Sequence, residues 1–194
     1  MNVWRDRLGR WLSPLARRCP LSPNVITVIA LLLNLGATYL LYRRFFLIAM
    51  AVVVVAGLAD AFDGIVARAQ NKSTRFGDFL DHVSDRIGDT LLVTGWLLGN
   101  VVWMPLAIAS IIGVMLNGYI GTQIEATWGT RSYEGMGRGE FVLALVIFPI
   151  VSHILFANGW AATHIQDWMT VLLLAFALLG IGQRIALAAR MERS

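Results

Sequence analysis

Six times in 194 residues the chain runs through about twenty mostly apolar positions before charge, glycine or asparagine interrupts it. A helix needs about that length to cross a hydrocarbon core of roughly 30 Å, and in lipid only helices or closed barrels satisfy their own backbone. The runs predict spans over 23–42, 46–68, 77–98, 101–124, 139–158 and 166–188. Charge is too sparse for the alternative, since 14% charged residues cannot clothe a soluble domain that ordinarily carries about 25%. So apolar a chain is not intrinsically disordered, and the single Cys19 excludes an intrachain disulfide framework or a Cys-rich metal site. The expected architecture is one all-α integral membrane domain over 1–194: an interfacial helix at 1–19, then a six-helix transmembrane bundle at 23–188.

In the first segment Trp4, Leu8, Trp11, Leu12 and Leu15 recur at helical spacing among Arg5, Arg7, Arg10, Arg17 and Arg18, which suits an amphipathic helix lying against anionic headgroups. A cleaved signal peptide fits less well, because the following run is long, lacks a small-x-small site and is stopped by Arg43 and Arg44. With the N-terminus inside, 13 of the 16 Lys and Arg fall on internal segments, so the positive-inside rule puts both termini in the cytoplasm. Arg43 and Arg44 run against that rule, and Arg86 falls inside the third span. Trp4, Trp11, Trp96, Trp103 and Trp160 sit near span ends and read as interfacial anchors.

Six of the twelve acidic residues, Asp60, Asp63, Asp78, Asp81, Asp85 and Asp89, crowd into thirty positions suited to membrane helices. Each costs at least about 2.5–3.5 kcal/mol at membrane depth, so the cluster is expected to face a polar cavity and to hold counter-charge. Asp60 and Asp63 share a helix face with Gly64, Ala67 and Arg68, while Asp78, Asp81, Asp85 and Asp89 form a second stripe. A polar turn around Asn71 to Arg75 lets the two stripes meet near the cytoplasmic face. Converging carboxylates cannot all stay ionised unless cations hold them, and an oxygen-only ligand set favours Mg²⁺ or Mn²⁺, ions that commonly contact phosphate. Two such ions could stabilise displacement at phosphorus while one carboxylate accepts the attacking hydroxyl's proton. Gly64 and Gly77 leave backbone open to a nucleotide, and Arg68 supplies counter-charge for a pyrophosphate.

The pattern Asp60-x2-Asp63-Gly64-x2-Ala67-Arg68-x8-Gly77-x3-Asp81-x3-Asp85 matches without gap or substitution the signature of the CDP-alcohol phosphotransferase family, which the six-span layout also resembles. The resemblance implies a membrane enzyme, usually a homodimer, that transfers a substituted phosphoryl group from a CDP-linked donor to an alcohol and releases CMP. It further implies that Asp60, Asp63, Asp81 and Asp85 bind two divalent cations, with Asp85 also the general base. Gly64, Ala67, Arg68 and Gly77 match the positions around the nucleotide and its pyrophosphate. Ser22-Pro23-Asn24 is similar to the family's opening of the first span, making Asn24 a further candidate.

For the acceptor, Asp85-Arg86-Ile87-x-Asp89 and Gln183-Arg184 resemble family members that make inositol-phosphate lipids, whereas Met136 to Phe141 departs from their pattern. Arg131, Arg138 and Arg184 could together bind an acceptor phosphate, although Arg131 and Arg138 equally satisfy the positive-inside rule. Asp78 reads as a helix-start residue, Asp89 as a partner for Arg86, and His82 as a packing residue. His153 and His164 have no ligand partner at useful spacing.

The expected reaction is transfer of a phosphatidyl or archaetidyl group from a CDP-lipid to a small polar alcohol, with inositol phosphate and glycerol phosphate as candidates. Membrane lipids are expected partners and nucleic acid is not. Transfer of a CDP-linked small alcohol onto a lipid is the alternative within the family. An ion or proton transporter would also bury aspartates, but no inverted pair of broken helices is visible. A membrane prenyltransferase would place its two Asp-rich motifs far apart, whereas here both lie within 26 residues.

Overall fold

The computed structural model describes residues 12–100, 102–129, 138–159 and 163–192, apart from the side chains of 138–143 and 163. Among them every regular element is helical: α1 (12–18), α2 (Pro23–Tyr42), α3 (Phe46–Ala69), α4 (Arg75–Gly99), α5 (Met104–Trp128), α6 (Arg138–Ala157) and α7 (Thr163–Met191). Of the interfacial helix expected over 1–19, only 12–18 falls in a described helix. Helices α2, α3, α5 and α7 are long and apolar enough to cross a membrane, so length and composition support four of the six expected spans. Helix α4 misses that standard because Arg75, Asp78, Asp81, Asp85, Arg86 and Asp89 all lie on it. In α6 the apolar stretch is the shorter Ala144–Ala157.

Local chemistry sets the element boundaries. Ser22 caps α2 by accepting from Val25 N at 3.4 Å, with Pro23 in the first turn, where a missing N–H costs nothing. Thr74 caps α4 by accepting from Gly77 N at 3.0 Å. Between α3 and α4, Asn71 takes a φ of 54°, a left-handed conformation that asparagine tolerates. At the other end of that hairpin Arg44 donates through Nε to Gly99 O at 2.5 Å and lies 4.8 Å from the Phe156 ring. One of the two residues that run against the positive-inside rule thus ties the α2–α3 turn to α4 and α6. Gln70 Nε2 donates to Ala16 O and Cys19 O at 2.8 and 2.9 Å, satisfying carbonyls at the end of α1.

Helix α2 packs against α3 and α4, and α5 against α7 and α4. The core gathers Leu41, Phe46, Trp96, Leu97 and Leu173, none more than 1% exposed. Trp96 is therefore not the interfacial anchor its position near a span end suggests. Its indole donates to Ser152 Oγ at 3.1 Å and its ring lies 5.5 Å from that of Phe148. Trp103 does face outward, at 68% exposure.

The α2–α4 seam depends on two glycines. A methyl on Gly95 would run into the Thr38 carbonyl, and one on Gly99 into the carbonyl of Leu41. Gly95→Val is accordingly expected to destabilise the fold by about 1–3 kcal/mol, the usual cost of overpacking. A thermal melt in detergent reads this directly, and an unchanged midpoint would show that the helices can separate without loss.

Candidate active site

The α3–α4 hairpin brings both aspartate stripes to one end of the bundle. Asp60, Asp63 and Asp81 each present a carboxylate oxygen within 4.8 Å of the others. Asp63 is the most deeply placed, at 6% exposure, and Thr27 Oγ1 on α2 donates to its Oδ2 at 2.5 Å. That bond holds one oxygen of Asp63 in place and leaves the other available. Three hard oxygen donors at this separation suit a divalent cation of the Mg²⁺ or Mn²⁺ type, and mutual repulsion among them provides the electrostatic reason for one to bind.

Asp85 lies outside this triad of converging oxygens. One turn beyond Asp81 on α4, it is within Coulombic reach of Asp63 and, with Asp60, lines a cavity of about 110 Å³ between α2, α3, α4 and α6. The geometry therefore separates three carboxylates that converge from a fourth set beside them.

The glycines and Arg68 fall around the triad. Arg68 folds back along α3, and a Cβ on Gly64 would lie 3.9 Å from its guanidinium nitrogens. Gly77 sits under Asn24, whose Oδ1 would be 3.2 Å from a Cβ there, so the start of α2 closes over the start of α4. Ala67 is half-buried on the same turn as Arg68. Asp78 is exposed and 4.0 Å from His82 Nε2, which fits its reading as a first-turn residue.

Further along α4 a basic site forms against α5 and α7. Arg184 Nη1 donates to Asn117 O and to Asn117 Oδ1, the latter at 2.7 Å. Gly121 makes room for this guanidinium, which a Cβ would approach to 3.1 Å, and Gly118 makes room for Arg86. Arg86 interacts electrostatically with Arg184 and pairs with Asp89 at 3.7 Å, yet its Nε is buried without a hydrogen-bond partner. Arg131 and the side chain of Arg138 lie outside the described residues. Thr27 and Asn117 were missed in the sequence; the available signal was a polar side chain inside an apolar span.

The chain is similar to known proteins over most of its length. The family described as CDP-alcohol phosphatidyltransferase matches residues 20–181. The chain is 30% identical over 166 residues to archaetidylinositol phosphate synthase of Pyrococcus horikoshii, covering 85% of each chain. It is 32% identical over 176 residues to phosphatidylinositol phosphate synthase of Mycobacterium tuberculosis, covering 85% of this chain and 81% of that one. A crystal structure of phosphatidylinositol phosphate synthase from Mycobacterium tuberculosis with CDP-DAG bound superposes with a TM-score of 0.67 at 25% identity, covering 91% of both chains.

Proposed function

The chain belongs to the CDP-alcohol phosphatidyltransferase family, and on that premise we propose that this transferase moves the lipid-bearing phosphoryl group of a CDP-lipid onto a hydroxyl of a small phosphorylated polyol, inositol phosphate above all, releasing CMP. The observation that carries this reading is that α4 joins two kinds of site: its Asp81 converges with Asp60 and Asp63 of α3, and its Arg86, next to Asp85 in the chain, interacts with Arg184 of α7. Relatives named for inositol-phosphate lipids support the polyol.

Asp60, Asp63 and Asp81 would hold divalent cation, with Asp85 adjoining a second, and such ions supply charge neutralisation for a pyrophosphate and its leaving group. Arg68, Gly64, Ala67, Gly77 and Asn24 frame the nucleotide end. Asp85 takes the proton from the acceptor hydroxyl. The freed oxygen forms the new bond to the lipid-bearing phosphorus, the phosphoanhydride bond to CMP breaks, and CMP departs with the electron pair. Arg184, held by Asn117, and Arg86 orient the acceptor through its phosphate, and Arg131 and Arg138 are further candidates for that contact.

The apolar exterior of the helices makes this an integral membrane protein, which we place with six spans, both termini and the active site on the cytoplasmic side, and a homodimer as the working unit. The test is CMP release by the purified chain with CDP-diacylglycerol and Mg²⁺ or Mn²⁺, using inositol phosphate, glycerol phosphate, serine and inositol in parallel. Inositol phosphate is expected to give the fastest release. Faster release with serine or unphosphorylated inositol would overturn the acceptor assignment, and metal-independent release would overturn the mechanism.

A further inference from the structure

The cavity that opens off Asp60 and Asp85 extends past the reacting carboxylates, between α2, α3, α4 and α6. Its wall is largely apolar, with Val53, Leu92 and Leu145 among its residues, and its polar residues beyond the reacting carboxylates include Asn34 and Ser84. Ser84 is 6% exposed, and its Oγ has no hydrogen-bond partner. This is unusual for a helix hydroxyl here. Thr90, Thr94, Thr122 and Thr170 each donate to the carbonyl four residues earlier, the ordinary way such a group is satisfied inside a bundle. A buried hydroxyl left unpaired beside a cavity calls for an acceptor supplied from outside the chain.

The surroundings restrict what that acceptor can be. Asp60 and Asp85, with the cations they would hold, face the donor's phosphates, and Asp89 is paired with Arg86, so the group left for Ser84 is an uncharged one. A polyol would leave several of its hydroxyls against Val53, Leu92 and Leu145 without partners. A neutral carbonyl oxygen embedded in hydrocarbon suits both walls, and an acyl ester of a glycerolipid is such a group. Position agrees as well: Ser84 adjoins Asp85 and lies three residues, a rise of about 4.5 Å, beyond Asp81. The ester nearest the headgroup of a diacylglycerol is only a few bonds from the transferred phosphorus.

Resting on the CDP-lipid donor reading, we infer that Ser84 is a specificity-determining residue that donates to an ester carbonyl of the lipid donor, so that the enzyme prefers ester-linked to ether-linked CDP-lipids. An ether oxygen is a weaker acceptor set between methylenes, and it leaves the Ser84 hydroxyl poorly satisfied. The acceptor alcohol, bound beyond Asp85 toward Arg86 and Arg184, is unaffected by this choice.

The experiment compares kcat/KM for CDP-diacylglycerol and the CDP-dialkylglycerol of equal chain length, at saturating inositol phosphate, in wild type, Ser84→Ala and Ser84→Cys. Wild type is expected to favour the ester by about five- to tenfold, the value of one neutral hydrogen bond. Ser84→Ala should lower the ester rate by that factor and spare the ether rate, bringing the ratio close to one, with Ser84→Cys between. The ether rate doubles as the check that the variants fold. A wild type indifferent to the linkage, or a Ser84→Ala that slows both lipids equally, would overturn the inference and leave the cavity as a hydrated void. Absence of CMP release from either lipid in wild type would remove the donor reading itself, and this inference with it.

Discussion

Asp85→Asn is expected to slow CMP release by a factor of about 10²–10⁴ while leaving the Kd for CDP-lipid within about threefold, because the change removes a base and preserves volume. Asp63→Asn and Asp81→Asn should be at least as damaging, for a different reason. Each replaces one of three carboxylates, whose oxygens lie within 4.8 Å of each other, by a neutral amide that binds a hard cation more weakly, so metal affinity falls together with turnover. For Asp63 the loss has a second component: Thr27, which is 4% exposed, would then face an amide in place of the carboxylate it now holds. The two kinds of variant are separated by Mn²⁺ binding, measured on the same preparations by electron paramagnetic resonance. Asp85→Asn is expected to keep Mn²⁺ at the Asp60–Asp63–Asp81 site, and Asp81→Asn to lose it. Chelation of wild type should mimic Asp81→Asn and be reversed by added Mg²⁺ or Mn²⁺. Near-normal turnover in Asp85→Asn would remove its assignment as base, and loss of Mn²⁺ from that site there would make it a ligand of the triad instead.

What the sequence discloses about this site follows the range over which residues are coupled. The aspartate stripes lie on one hairpin, where helical periodicity alone brings Asp60 and Asp63 opposite Asp81 across a short turn. Thr27 and Asn117 come from other helices, and no spacing rule connects Thr27 to Asp63 or Asn117 to Arg184 across 36 and 67 residues. Ser84 is disguised differently. It occupies a position where a helix hydroxyl ordinarily bonds to its own backbone, and only the packed structure shows that it does not. Trp96 was misread because a tryptophan near a span end looks the same from sequence whether it meets headgroups or, as here, Ser152 and Phe148. The charges that identify α4 as functional are the ones that keep it from registering as a simple apolar span. Its stability in the bundle comes instead from close approach to α2 through Gly95 and Gly99.

Arg184→Ala is expected to raise the KM for inositol phosphate by about 10- to 100-fold, the value of one to two charge-assisted hydrogen bonds, with little change in the KM for CDP-lipid. The reasoning starts from an unfavourable arrangement. Arg184 is half-buried, close enough to Arg86 for the two cations to repel, and fixed by Asn117. Asp89 offsets Arg86 at 3.7 Å, but no carboxylate is recorded in an ion pair with Arg184 among the described residues. Two guanidiniums held together in this way are costly until an anion lies between them, and a phosphate monoester has both the charge and the oxygen geometry to do so. Arg184→Lys retains the charge and loses the planar fork, so it should recover only part of the affinity. Unphosphorylated inositol, tested at high concentration as a poor acceptor, supplies the decisive comparison. Its turnover should be nearly the same in wild type and Arg184→Ala, because the contact that is lost is one it never makes. An equal loss with both acceptors would mean that Arg184 supports the packing of α5 on α7 rather than the substrate's phosphate.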